Sequence, residues 1–199
     1  MNELYPVFLK LDQLKILLVG AGNVGFEKLQ SLLGNSPNAK ITIVAPLIRP
    51  KVYELALEHK GCTIFERHFK DDDLLDKDLV ILATDDHELH RSVREKAGSQ
   101  RILVNVADTP ELCDFYLGSI VQKGDIKIAI STNGKSPTLA KRLKEVLQES
   151  IPDAISDLAE QLHRIRNEMS GNFSEKVKAL YGLTSSLVKT NGGKREKLP

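Results

Sequence analysis

Short apolar runs and helix-period stretches take turns along the first half of the chain. Residues 15–20 (KILLVG) form an apolar run of strand length that ends in glycine. Residues 24–33 (VGFEKLQSLL) follow with a helical pattern. Residues 41–45 (ITIVA), rich in β-branched side chains, predict a second strand. Residues 50–60 predict a helix with Pro50 in its first turn. Further strands are predicted at 62–65, 79–83 (LVILA) and 102–106 (ILVNV). Between them lie a short helical turn led by Asp71, Asp72 and Asp73, and a helix over 87–97 capped by Asp86. This alternation predicts a parallel sheet wrapped by helices. Right-handed crossovers narrow it to an α/β, Rossmann-like doubly wound sheet of strand order 3-2-1-4-5. Its ligand crevice is expected at the carboxyl ends of strands one and four. Residues 7–11 offer an outer strand ahead of the first.

The pattern changes after Asp108. Runs at 115–122 and 126–131, separated by Lys123-Gly124-Asp125, predict a β-hairpin. A polar loop follows, and Ser136-Pro137 predicts an N-cap with proline at the first helical position. The helix through Gln148 carries Leu139, Leu143, Val146 and Leu147 on one face. Pro152 interrupts it. A second amphipathic helix is predicted over 153–169, with Ala154, Ile155, Leu158, Leu162 and Ile165 apolar, and a weaker one over 174–188. A C-terminal helical region at 151–190 and a mobile tail at 191–199 complete the division.

Composition narrows the class of function. The chain has 199 residues and a formal net charge of +1, without the basic excess of a duplex-binding protein. No apolar run reaches the roughly 20 residues that span a bilayer. The opening MNELYPVFLKLDQ shows no basic region followed by a long apolar stretch, so no secretory signal is expected. Cys62 and Cys113, far apart and not in a CxxC pair, read as reduced packing thiols of a cytoplasmic protein.

The chemistry concentrates at strand ends. Gly20-Ala21-Gly22-Asn23-Val24-Gly25 is a GxGxxG that follows a predicted strand and opens a predicted helix. Gly20 permits the tight turn, Gly22 lets backbone approach a pyrophosphate, and Gly25 allows close helix–strand packing. The helix start offers unpaired N–H groups and a positive dipole end. The acid usual at the end of strand two is missing. The chain there reads Val44-Ala45-Pro46-Leu47, with Arg49 beyond. An acid would hold the ribose 2′-OH of NAD and an arginine the 2′-phosphate of NADP, so the residues leave that choice open. Thr84 lines the crevice rim after strand four, beside Asp85 and Asp86. His87 and His90, three apart, read as a solvated helix face, with a metal pair as the alternative. Asn105 and Asp108 end strand five, where Asn105 is a candidate substrate contact. A carboxylate at 108 can take a proton while hydride leaves to a cofactor, or it can cap the strand. Ser131, Thr132, Asn133, Gly134 and Lys135 lie at a helix start, a natural anion receptor, with Lys141 and Arg142 adding charge.

Together these segments resemble the precorrin-2 dehydrogenase family, which includes the N-terminal module of siroheme synthase and a bifunctional dehydrogenase–ferrochelatase. The resemblance runs through PVFLKL, KILLVGAGNVGFEK, ITIVAP, LVILATDD, NVADTPELCDF and GSIVQKGDIKIAISTNGKSPTLAKRLKE, about residues 5–150. It implies oxidation of precorrin-2, a tetrapyrrole, to sirohydrochlorin in siroheme biosynthesis, with NAD as hydride acceptor. It implies a homodimer, so the division becomes an NAD-binding domain at 1–112 and a dimerisation and substrate-loop region at 113–150. By position, Asn23, Val24, Pro46 and Leu47 match cofactor contacts and Asp108 the aspartate of the reaction. Thr132 stands where some relatives have serine, and Asn133 and Lys135 replace smaller residues. Three alternatives stand beside this reading. One is a dehydrogenase that also inserts iron. Another is an NAD-sensing regulatory domain, although no recognition helix is visible. The third is a structural dimer module.

Overall fold

The computed structural model describes residues 2–185. The first unit is a five-stranded parallel sheet: β1 (Lys15–Ala21), β2 (Lys40–Ile48), β3 (Cys62–Glu66), β4 (Leu79–Leu82) and β5 (Leu103–Val106), in the order β3-β2-β1-β4-β5. The predicted doubly wound order is therefore realised. Helices α1 (Asn23–Asn35), α2 (Pro50–Leu57) and α3 (His87–Ser99) connect the strands.

The period of two along each strand divides the core. Ile16, Leu18, Ile41, Ile43, Leu79 and Ile81 bury one face against Leu29, Leu32 and Leu33 of α1 and Val52 and Ala56 of α2. Leu17, Val19, Val44, Val80, Leu82, Val104 and Val106 bury the other against Val93 and Ala97 of α3 and Leu74 of the 3₁₀ turn Asp71–Leu74. Because both faces are covered, the inner strands read as unbroken apolar runs rather than alternating ones. The chain passes from one face to the other between β3 and β4, so the helices that follow β1 and β4 leave their carboxyl ends on opposite faces of the sheet.

Two expectations need correction. Residues 7–11 form no strand. Both edges of β1 are already taken by β2 and β4, and turns at Lys10–Gln13 and Leu11–Leu14 lead directly into it. Val7 and Phe8 stay exposed, and Leu11 packs on the core. The hairpin's first strand begins at Ser119, not at 115. Before it, the Asp114 amide donates to the Val104 carbonyl and Asn105 Nδ2 donates to the Phe115 carbonyl, so this stretch is bound to β5. The boundary drawn after 112 accordingly falls inside the first unit, which runs through Gly118 and also includes Ser131–Ser136.

The second unit comprises Ser119–Ile130 and the chain from Pro137 onward. Strands β6 (Ser119–Lys123) and β7 (Ile126–Ile130) pair antiparallel with Lys123 opposite Ile126, which leaves a two-residue turn. Gly124 there has φ of 55°, the sign a type II′ turn needs at its first central residue. A side chain at Gly124 would also collide with Ser156. Helix α4 (Pro137–Ser150) packs on the hairpin, and α5 (Ile155–Glu168) and α6 (Phe173–Leu183) follow. The last predicted helix thus starts at Phe173; its end at 188 and the tail at 191–199 lie outside the described residues. Among the described residues no helix is long and apolar enough to cross a membrane.

Candidate functional site

The register of the sheet sets three chemistry-bearing positions side by side. Val19 pairs with Leu82, and Leu82 with Val106. Two residues further on, β1 has reached Ala21 and the glycine turn, β4 has reached Thr84, and β5 has reached Asp108. Continuations of the ladder, Ala83 N–H to Val19 O at 2.8 Å and Ala107 N–H to Leu82 O at 2.9 Å, hold this row together. Its cause is the shared parallel register: three strands entered in step end in step.

The three glycines of GxGxxG answer different demands. Gly20 has φ of 103°, and a Cβ there would strike the Ala83 carbonyl and lie 2.9 Å from Thr84 Cγ2. A Cβ on Gly25 would strike the Gly20 carbonyl. Gly22 differs from both. Its φ of −80° is not the positive value that calls for glycine, and a Cβ there would meet no atom within 4 Å. The protein's own packing leaves the space over Gly22 open, so the backbone there is accessible to something lying against the turn. Gly22 is also the N-cap of α1 without a side-chain cap, and the first turn of α1 has no acid. The positive helix end is therefore left for an outside anion. Asn23 and Val24 begin that helix, and both are exposed. The turn thus fits the diphosphate of a dinucleotide.

At the end of β2 the ladder is irregular. Val19 pairs with Val44 and Ala21 with Ile48, so Gly20 faces three residues, Ala45, Pro46 and Leu47. The excess pushes Pro46 and Leu47 outward, and Leu47 is 77% exposed. Arg49, also exposed, donates its backbone N–H to Ala21 O at 3.2 Å, beside the glycine turn.

Thr84 is tied from behind. Its Oγ1 shares a 2.8 Å hydrogen bond with His90 Nε2 and accepts a long one from the Asp86 amide. Asp86 caps α3 as predicted, accepting from Leu89 N–H at 2.9 Å. The solvated histidine face is corrected: His87 is exposed, but His90 is buried at 1% exposure. It lies on the same helix face as Val93 and Ala97, three and seven residues on, and that spacing was the overlooked signal. Burial holds its imidazole below the ordinary range, and the neighbouring His87 pushes the same way, against Asp86, Asp85 and the Thr84 bond. Among the described residues no three His, Cys, Asp or Glu side chains gather as metal ligands.

Asp108 is exposed and stands at φ of 56°. Its loop is held by Cys113, whose Sγ accepts from Val106 N–H at 3.2 Å and donates to the carbonyls of Val106 and Thr109. Burial raises the Cys113 thiol above its usual range, which keeps it a neutral donor. Asn105 is buried, and its amide is spent on the Phe115 carbonyl at 2.8 Å. The sequence reading made Asn105 a substrate contact; the structure gives its side chain a bond that anchors the segment behind Asp108.

The polar loop is a built turn. Lys135 N–H donates to Thr132 O, and the central residues Asn133 and Gly134 both have positive φ, 55° and 73°. Asn-Gly is the pair that tolerates this backbone. Thr132 Oγ1 accepts the Ser136 N–H and donates to the Ser136 carbonyl, and Ser131 Oγ accepts the Asn133 N–H. Lys135 is exposed at the turn's end.

Comparison with known proteins gives a consistent picture. The family described as putative NAD(P)-binding matches residues 7–119, and that described as sirohaem biosynthesis protein central matches residues 123–150. A siroheme synthase of Nitrosomonas europaea is 38% identical over 168 residues, which is 84% of this chain and 35% of that protein. A siroheme synthase of Pseudoalteromonas translucida is 39% identical over 168 residues, again 84% of this chain and 35% of the relative. The chain thus spans about a third of the length of these curated relatives. A solved structure described as a precorrin-2 dehydrogenase superposes with a TM-score of 0.70 at 24% identity, covering 90% of this chain and 89% of its own. At that identity the likeness is one of fold.

Proposed function

The chain belongs to the putative NAD(P)-binding family, and from that premise we propose that it oxidises precorrin-2 to sirohydrochlorin with NAD, in siroheme biosynthesis. The observation that carries this reading is Gly22: a glycine with open space over it, at an uncapped helix start, at the crevice of a doubly wound sheet. The substrate is carried over from the siroheme synthases and the precorrin-2 dehydrogenase that the chain is similar to. NAD supplies the hydride acceptor.

The chain's own residues have three tasks. Gly20, Gly22, Asn23, Val24 and Gly25 seat the diphosphate, with Pro46, Leu47 and Thr84 flanking it. Asp108 takes the proton released as hydride leaves the tetrapyrrole, so that two electrons and one proton go to NAD and one proton to the carboxylate. The Ser131–Ser136 loop, with Lys135 at its end, receives a carboxylate of the substrate; this loop clusters with the dinucleotide-binding unit although the hairpin precedes it in sequence. The reading carries with it a cytoplasmic location, in keeping with the unpaired Cys62 and Cys113.

A homodimer belongs to the same proposal. In the second unit only Val121 and Ala140 are buried apolar residues among those described. Leu139, Leu143 and Val146, at helical spacing on α4, are 52%, 40% and 57% exposed. A unit with so little core of its own gains one when a second copy covers this stripe.

The decisive assay mixes the purified chain with precorrin-2 and NAD and follows absorbance. Formation of NADH together with the sirohydrochlorin spectrum is expected. No NADH above the enzyme-free control would overturn the proposal.

A further inference from the structure

We propose that His90 is a positioning residue for the dinucleotide crevice: its buried imidazole holds the Thr84 side chain in the orientation that borders the glycine turn. The inference rests on the reading of that turn as the cofactor seat, and it assigns a role to a residue outside it.

The geometry is specific. Thr84 is the first residue beyond the Ala83 that abuts Gly20, and its methyl group already borders the space a Gly20 side chain would need. The rotamer of Thr84 therefore decides how much room the turn has. A threonine at a strand end chooses among staggered positions. Here the choice is made by the 2.8 Å bond from Oγ1 to His90 Nε2. His90 cannot swing away, because it is buried at 1% exposure on the α3 face that carries Val93 and Ala97.

The other ring nitrogen explains why the imidazole must be neutral. His90 Nδ1 is buried and has no hydrogen-bond partner. As a bare lone pair it is tolerable, whereas a second proton would bury both a charge and an unpaired N–H. The nearby charges do not relieve this. Asp86 spends its carboxylate on the Leu89 amide, Asp85 is exposed, and His87 stands edge-on with its ring 5.8 Å away. On the elements packed against α3, Asp71 pairs with Lys96, Asp73 with Arg67 and Asp114 with Arg94, while Glu111 is exposed. Acidification thus favours an imidazolium that leaves its buried seat, and the Thr84 tether goes with it.

The test is NAD binding by calorimetry with the full chain, from about pH 5 to about pH 8.5. For the unaltered chain, affinity is expected to be steady above 6.5, the ordinary histidine value, and to fall below it. His90→Phe, which fills the space without a polar atom, should weaken NAD about five- to tenfold at the alkaline end, the worth of one tethering hydrogen bond. His90→Gln places an amide nitrogen where Nε2 stands, so it can still bond Thr84, and it does not titrate. It should recover most of the lost affinity and show a flat profile. If His90→Phe fails to fold, Thr84→Val removes the same bond from the other side and should show the same loss. Superimposable pH profiles for the unaltered chain and His90→Gln would overturn the inference, as would full NAD affinity in the variant lacking the bond. Absence of NAD binding by the unaltered chain at every pH would instead overturn the cofactor reading, and this inference with it.

Discussion

At the scale of single residues, the site separates positions that the fold fills from positions that it leaves open to a ligand. Gly22 is of the second kind, and this makes an unusual forecast. Gly22→Asp should fold at least as well as the unaltered chain, because aspartate is a favoured N-cap and φ at 22 is not positive. Its stability should rise by about a few tenths of a kcal/mol, while NAD binding is lost to a carboxylate in the place of the diphosphate. Thermal unfolding and calorimetry on one sample check both halves. Retained NAD affinity would remove the main support for the cofactor seat. Asp108 calls for a different substitution. It sits at φ of 56°, where alanine is strained and asparagine is not. Asp108→Asn should keep the loop and NAD affinity but slow the oxidation about 100-fold, if the carboxylate accepts the proton. An unchanged rate would leave Asp108 a turn residue.

At the scale of elements, the strand pattern was legible because a parallel sheet covered on both faces writes itself as apolar runs, and the glycine motif was legible because turn and helix start follow directly from it. What escaped was longer-range. The 3₁₀ turn Asp71–Leu74 looked like a run of acids, yet Asp73 is buried at 9% exposure, with Arg67 Nη1 and Nη2 at 2.8 and 2.6 Å and the Lys70 amide at 2.8 Å. The guanidinium is the main reason its carboxyl lies below the usual range; the Lys70 amide assists and burial opposes. A depressed carboxyl stabilises the fold fully above its unfolded value, here 3.8, and the contribution is lost as pH falls through the lower folded value. Asp73→Asn should therefore cost about 2 kcal/mol near neutrality and flatten the acid limb of the stability curve, measured by urea unfolding from neutral pH downward. An acid limb that stays as steep as in the unaltered chain would assign it to other groups.

At the scale of the whole molecule, the two units differ in how much core they own. The first buries a two-sided sheet. The second leaves an apolar stripe on α4 exposed and buries little. A second copy as the cover predicts that Val146→Glu, or Leu143→Glu, converts a dimer to a monomer in light scattering while the NAD affinity of the first unit stays within about threefold, since the glycine turn belongs to a unit with a core of its own. A monomer before any substitution would refute the dimer.

The amino-acid sequence by itself determined the alternation of strand and helix, the strand order and the glycine turn, since each depends on neighbours within a few residues or on rules of chain crossing. It could not show that His90 and Asp73 are buried, that Asn105 is spent on Phe115, or that the hairpin begins four residues late. Those outcomes depend on partners 6 to 10 residues away or on which face of a helix the sheet covers. Only the folded chain decides them, because a polar side chain joins a core only when packing brings it a partner for its hydrogen bonds.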